Sequence, residues 1–283
     1  MIPRRLIITL LLLCLLPGIL TAQRRNNDRP YFFIQVTDPQ FGMFEENNGF
    51  EKETGLYEKA VMRINRLRPD FVVITGDFVH RTKDSLQIAE FKRITTKIDS
   101  EIPVYYTPGN HDVGQNPDNL DIKVYIKNFG YDRFSFKHKG SQFIGFNSSL
   151  IKANIPYLEQ QQYNWLRKKL SKNKRVRHII LFCHYPFFIK ASDEPENYHN
   201  ISLENREKYL ALFEASKVDA IFSGHLHNNA IVSFGEIQLV TTSAVGKPLG
   251  DAPSGFRIVK VFTDSIEHIY YGLDEIPDSI RFE

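Results

Sequence analysis

Cysteine is nearly absent from this chain. Among 283 residues only Cys14 and Cys183 occur, which excludes a disulfide framework and a cysteine-rich metal cluster. Long hydrophobic runs are missing too. The apolar stretch Leu6–Leu16, broken only by Thr9, falls short of the roughly 20 residues that span a bilayer comfortably. Charge of one sign is a third absence: 36 Lys and Arg against 33 Asp and Glu leave +3. Residues 1–22 carry Arg4 and Arg5 and no acid, so without them 34 minus 33 leaves +1. A nearly neutral chain gives no electrostatic reason to expect nucleic acid or anionic lipid as partner. No internal repeat, low-complexity tract or interdomain linker is visible. With 42% hydrophobic residues, stability has to come from packing one sizeable core.

The N-terminus departs from this average. Arg4 and Arg5 precede the apolar run, Pro17 and Gly18 end it, and Ala22 precedes the polar stretch Gln23–Arg29. A short positive region, an apolar core and a small residue before a polar stretch predict a secretory signal over residues 1–22. The mature domain then spans 23–283, secreted or periplasmic. An uncleaved segment, leaving the protein anchored to a membrane, is the alternative. Cleavage leaves Cys183 as the single thiol, so no intramolecular disulfide can form.

Beyond it, short apolar runs alternate with helical patterns. Tyr31–Thr37, Phe71–Thr75, Pro103–Tyr106, His178–Cys183 and Ala220–Ser223 read as buried strands. Leu56–Leu67, Ser85–Ile98, Leu158–Leu170 and Leu203–Glu214 read as helices, with the lone Trp165 in the core. Phe134–Phe136 and Gln142–Phe146 flank a turn. After Ala230 only strands follow: Ala230–Phe234, Ile237–Thr242, Phe256–Phe262 and Ser265–Tyr271. This order predicts an α/β fold in one domain, two packed sheets with helices outside.

Five strands end in polar clusters: Asp38-Pro39-Gln40, Gly76-Asp77, Gly109-Asn110-His111-Asp112, His184, and Gly224-His225-Leu226-His227. Ligands of open α/β sheets sit beyond the carboxyl ends of the strands, so the clusters are expected to converge. Each alone has an ordinary explanation, because Asp-Pro and Gly-Asp are common turn pairs and a lone histidine usually packs. Turn chemistry does not explain ligand types at all five ends. Oxygen and imidazole donors without thiolate suit Mn, Fe, Zn or similar divalent ions.

In this order the motifs D-x-(H/Q), GD, GNH(D/E), H and GHxH resemble the calcineurin-like metallophosphoesterase superfamily over nearly the whole mature chain. The segments TDPQFG, TGDFVH, PGNHDVG and FSGHLHNNA, with SAVG and IYYGLDE toward the end, are similar to its subgroup of calcineurin-like phosphoesterase domain proteins described as serine/threonine protein phosphatases. The resemblance implies a four-layer α/β/β/α sandwich of two mixed sheets. It also implies two divalent metal ions (Mn, Fe, Zn or Mg). Asp77 would bridge them, Asp38, Gln40 and His227 would complete the first site, and Asn110, His184 and His225 the second. His111 matches the catalytic histidine. The implied reaction is hydrolysis of a phosphate monoester, on a small molecule or a phosphoserine or phosphothreonine protein, by a hydroxide activated between the ions.

Two departures bear on this. Gln40 stands where much of the superfamily has histidine; a neutral amide oxygen is the weaker, harder donor and favours Mn or Mg over Zn. Its alternative is a place outside the ligand set, with water on the metal. His80 stands where the broader group has an aspartate supporting the catalytic histidine; it either tunes His111 or packs under the loop. Tyr185–Ile201 and Glu45–Glu53 read as solvated loops or as the rim of the pocket. The competing functions are a phosphodiesterase or nucleotide hydrolase on the same centre, and a metal-dependent binding protein without turnover.

Overall fold

The computed structural model describes residues 29–171 and 176–282. The expected signal segment 1–22 lies outside them. Eleven strands are described: β1 (Tyr31–Val36), β2 (Val72–Thr75), β3 (Val104–Thr107), β4 (Phe134–His138), β5 (Ser141–Gly145), β6 (Ile179–Phe182), β7 (Ala220–Ser223), β8 (Ala230–Phe234), β9 (Ile237–Thr241), β10 (Gly255–Val261) and β11 (Ile266–Gly272). The helices are α1 (Glu51–Leu67), α2 (Ser85–Thr95), α3 (Asn110–Val113), α4 (Asn119–Phe129), α5 (Ser148–Lys152), α6 (Pro156–Ser171) and α7 (Leu203–Ala215). Among the described residues no helix is long and apolar enough to cross a membrane.

The strands form two mixed sheets, β11-β10-β1-β2-β3 and β4-β5-β6-β7-β9-β8. Each has a parallel centre: β1 with β2 and β3, and β5 with β6, β7 and β9. Each is completed by antiparallel strands, β10 and β11 in the first, β4 and β8 in the second. Side chains alternate between the faces of a strand, and β1 shows what that does here. Phe32, Ile34 and Val36 pack against Tyr57 and Ile64 of α1 and Phe91 of α2. Tyr31 and Phe33 point the other way, into a layer with Phe71, Phe143, Phe182 and Phe222. On the far side, Leu181, Ile221 and Leu239 of the second sheet meet Leu166 of α6 and Phe213 of α7. The result is helix, sheet, sheet, helix. Both faces of the central strands are buried, which is why they read as unbroken apolar runs.

The layer between the sheets is aromatic at one end. Phe33 stacks on Phe71 at 4.9 Å and meets Phe143, Phe182 and Phe222 edge-on. Toward the carboxyl ends of the strands it turns polar. Gln35 donates to Thr75 Oγ1 and to the Ser223 carbonyl and accepts from Thr242 Oγ1. The fully enclosed Arg257 donates to Thr242 Oγ1 and Asn229 Oδ1. Buried polar groups need such partners, and this network carries the interior up to the loops beyond the strand ends.

Some expectations are corrected. Helix α1 begins at Glu51, ahead of Leu56, because its first turn is the acidic stretch that suits a helix N-terminus. Glu53 is buried there and accepts from the Phe44 N–H, so the tail of the 45–53 segment is helix and not loop. Helix α4, unassigned in the sequence reading, is fixed by a capping box between Asp118 and Asp121. Trp165 lies only partly buried at the edge of the outer cluster, with Arg133 and Lys169 against its ring.

Candidate metal centre

The five polar clusters follow β1, β2, β3, β6 and β7 and meet at one end of the sandwich. Asp38, Gln40, Asp77 and Asn110 come from the first sheet, His184, His225 and His227 from the second. All seven are buried. The loops are zipped together: the Asp38 N–H donates to the Gly76 carbonyl, Gln40 N–H to Asp77 and Phe41 N–H to Phe78.

The backbone here is unusual. Asp38, Gln40, Asp77, His225 and His227 all have positive φ, at 51°, 38°, 50°, 71° and 51°. This left-handed region costs an ordinary residue roughly 1–2 kcal/mol, and such conformations concentrate at functional sites. Space is tight as well. Gly76, at φ +85°, could carry no side chain, because a Cβ would lie 2.6 Å from both His184 Nδ1 and the Gly109 N.

Distances tie the side chains together. His184 Nε2 lies 3.1 Å from Asp77 Oδ2 and 3.2 Å from Asn110 Oδ1. One ligand atom from each of Asp77, His184 and His225 falls within 4.8 Å of the others. His227 Nε2 is 3.5 Å from Asp38 Oδ1. Asp38 is itself held by the Thr37 hydroxyl at 2.6 Å and the His225 N–H at 3.1 Å. Asp77 Oδ1 accepts from the His111 N–H at 2.8 Å.

Four histidines share one arrangement. His184 Nδ1 donates to the Thr75 carbonyl at 2.8 Å, His227 Nδ1 to Lys247 at 2.5 Å, His111 Nδ1 to His80 at 2.6 Å, and His225 Nε2 to Tyr198 at 3.3 Å. One ring nitrogen is spent on a main-chain oxygen, which fixes the ring and its tautomer and leaves the other for the centre. This is how histidine ligands are commonly oriented. Gln40 is complementary: Nε2 sits 3.3 Å from His80 Nδ1, while the buried Oε1 has no partner. An orphaned buried oxygen among carboxylates and imidazoles fits a cation.

The electrostatics agree. Burial pushes the Asp77 carboxyl up, but His184, His111 and His225 outweigh it and hold it below the usual carboxylate range. Burial lowers His184, yet Asp77 and Asp38 raise it to about 9, so a proton occupies the face a metal would take. Burial and then His184 push His225 well down. For His227, burial lowers the ring, Asp38 raises it, and the net shift is upward. Asp112, clamped by the Gly109 and Phe78 N–H groups at 2.8 Å each, is raised to about 8, by burial first and Asp77 second.

The segment expected as solvated loop or rim also contributes. Tyr198 packs its ring 5.0 Å from His225 and places its hydroxyl 3.4 Å from Asn110 Nδ2. It belongs to the 185–201 segment, which is a rim and not a free loop. Buried Arg206 donates to the carbonyls of Ser192, Glu194 and Ile201, and Lys152 to those of Asn197 and Asn200. His178, His138 and His268 lie elsewhere, bonded to Phe262, Asp70 and Gln238.

Comparison with known proteins identifies the family. A family model described as calcineurin-like phosphoesterase matches residues 33–229. Serine/threonine-protein phosphatase CPPED1 of Rattus norvegicus is 35% identical over 275 residues, covering 90% of this chain and 88% of its own. A probable glycerophosphodiester phosphodiesterase GpdQ of Arcobacter nitrofigilis is 25% identical over 65% of this chain and 67% of its own. Among solved structures, a dimetal phosphatase from Danio rerio superposes with a TM-score of 0.60 at 15% identity, covering 87% of this chain and 97% of that one. The protein whose strand ends build this centre belongs to the calcineurin-like phosphoesterase family and is a phosphoric ester hydrolase.

Proposed function

We propose that this protein hydrolyses phosphate monoesters at a pair of divalent ions, with Asp77 shared between them. Asp38, Gln40 and His227 complete one site, and Asn110, His184 and His225 the other. The observation that carries this reading is the common aim of the histidines: His184 and His227 each have one nitrogen on a main-chain carbonyl and the other near a buried carboxylate, and His225, held by the Tyr198 carbonyl, lies with Asp77 and His184 in one ligand group. The ions would clamp the phosphate and make water nucleophilic at neutral pH. The chain's residues supply the rest. Asp77 is kept ionised by its neighbours. His111, with Nδ1 donating to the His80 carbonyl and its main-chain N–H on Asp77, presents Nε2 to the leaving oxygen or to a phosphate oxygen. The Tyr185–Ile201 rim, through Tyr198, borders the Asn110 and His225 side and limits what enters.

The rat relative's name, a serine/threonine-protein phosphatase, makes phosphoserine and phosphothreonine the first macromolecular substrates to try. Export, with cleavage near Ala22, is likewise our proposal and rests on residues 1–22 alone. The decisive experiment strips the protein of metal, then measures release from para-nitrophenyl phosphate and from its bis ester across Mn, Fe, Zn and Mg. Cation-dependent turnover of the monoester, well above the diester, is expected. Preference for the diester would move the assignment to a phosphodiesterase. Two bound ions without turnover of either would make the protein a metal-dependent binder.

A further inference from the structure

His80 lies outside the seven candidate ligands, yet its main chain is held from several directions. Its N–H donates to the Phe41 carbonyl at 3.0 Å and to Gln87 Oε1 at 3.0 Å, and the next N–H, of Arg81, reaches the same Gln87 oxygen at 3.0 Å. Gln87 is anchored in turn by Asn47 Oδ1 at 2.9 Å. Just before it, Val79 bridges Phe41 in the short parallel ladder that joins the first two ligand loops. The ring of His80 stacks on that of His111 at 5.1 Å and 16°.

The two links from His80 differ in kind. His111 is bonded to the main-chain oxygen of residue 80, a link any residue there would provide. The imidazole itself is spent on Gln40, with Nδ1 at 3.3 Å from Nε2. A carboxamide has two ends of similar shape, and only the oxygen can meet a cation; the NH2 carries donors alone. An imidazole can ligate through either ring nitrogen once that nitrogen is unprotonated, whereas the amide has one end that never can. Gln40 therefore needs something to tell its ends apart, and an unprotonated ring nitrogen accepts from NH2 and rejects the carbonyl oxygen. With Nε2 so engaged, Oε1 is left buried and without a partner.

We infer that His80 is a positioning residue of the first metal site, which selects the Gln40 rotamer whose amide oxygen faces the ion. The inference rests on the two-ion reading above and deepens it, because it explains how an amide, the weaker donor, is turned oxygen-first to the ion. Toward the first ion, the His80 side chain would act through Gln40.

The test is calorimetric titration of metal-stripped protein with Mn, which reads the two sites without recourse to turnover, with thermal unfolding of the metal-free variants to confirm folding. His80→Leu is expected to weaken the first site by about 10–100-fold, the usual cost of losing a partner behind a metal ligand, and to leave the second within a few-fold. His80→Asp keeps an acceptor-only side chain at the same reach and should recover most of the loss. In a Gln40→His background, where no amide needs orienting, His80→Leu should cost little. Unchanged first-site affinity in His80→Leu overturns the inference. So does an equal loss in His80→Asp, or an equal loss in the Gln40→His background, since either marks general loosening of the loop. Wild-type protein that takes up fewer than two ions overturns the two-ion reading and this inference with it. Two ions bound with His80→Leu unaffected removes the inference alone.

Discussion

His184 holds Asp77 from across the sandwich: its Nε2, on the loop after β6, lies 3.1 Å from Asp77 Oδ2 on the loop after β2. The contact joins the two sheets at their polar end. In the metal-free protein it is an ion pair, since Asp77 is held ionised and His184 is raised to about 9.

Removing that charge tests the shared ligand. Asp77→Asn takes one negative charge from both sites while keeping the shape. Metal affinity is expected to fall by more than the ~10–100-fold typical of partners behind the ligands, and activity with it. Bound metal by elemental analysis and rate on para-nitrophenyl phosphate should drop together. Full activity in this variant would refute the assignment.

Metal uptake should release protons. His184 carries a proton below about 9, and a metal ligand must be unprotonated. Between pH 7 and 8 an ion therefore displaces a proton, and apparent affinity rises with pH until the pH passes about 9 and the ring is neutral. Calorimetry in buffers of different ionisation enthalpy will show the released proton as a buffer-dependent heat. A heat independent of buffer contradicts the assignment of His184.

His111→Ala separates chemistry from binding. Both ions should remain, with turnover lower by about 10²–10⁴, the usual reach of a general acid. The defect should shrink for esters with acidic leaving groups, which need little protonation. A defect equal for all leaving groups makes His111 a phosphate holder. Loss of metal, restored by added cation, makes it a ligand.

Acid stability is set partly away from the centre. His268 is lowered from 6.5 to about 4 by burial and then by Arg257, whose guanidinium donates to its Nδ1 at 3.0 Å. Its Nε2 donates to Gln238 at 3.0 Å, and Phe222 lies edge-on at 5.7 Å. The folded ring prefers to stay neutral, so between about 4 and 6.5 the unfolded chain binds more protons and stability falls as pH falls. The ring is partly exposed, so the effect after screening is roughly 1–2 kcal/mol. Thermal unfolding from pH 7 to 4 should show a shallower acid limb in His268→Gln than in wild type; identical limbs would argue against a ring held neutral.

Export is checked in the native host. N-terminal sequencing of the mature protein should begin near Gln23. Soluble protein retaining Met1 would exclude a cleaved signal.

Strand ends were legible because apolar runs such as Phe71–Thr75 and Ala220–Ser223 stop abruptly at glycine followed by a ligand type. The four-layer order followed from the motifs' resemblance and from alternation of strand and helix. Helix α4 was missed although Asp118 and Asp121 carry its cap, since a polar box gives no apolar run. What orients the site was illegible for a different reason. The carbonyls of Thr75, Tyr198, Lys247 and His80 belong to the main chain, and main-chain acceptors leave no mark in residue identity. Tyr198 reaches the centre through a segment whose fastening by Arg206 and Lys152 is visible only in three dimensions.

The seven candidate ligands divide four to three between the sheets, so an ion held there is a rivet through the sandwich as well as a reagent. Without it, that end is closed by hydrogen bonds and an ion pair across strained loops, while the opposite end is locked by stacked aromatic rings. Chelation should thus make the protein hinge open from the catalytic end inward. Amide exchange would quicken first in the loops after β1, β2, β6 and β7 and last around Phe33 and Phe71.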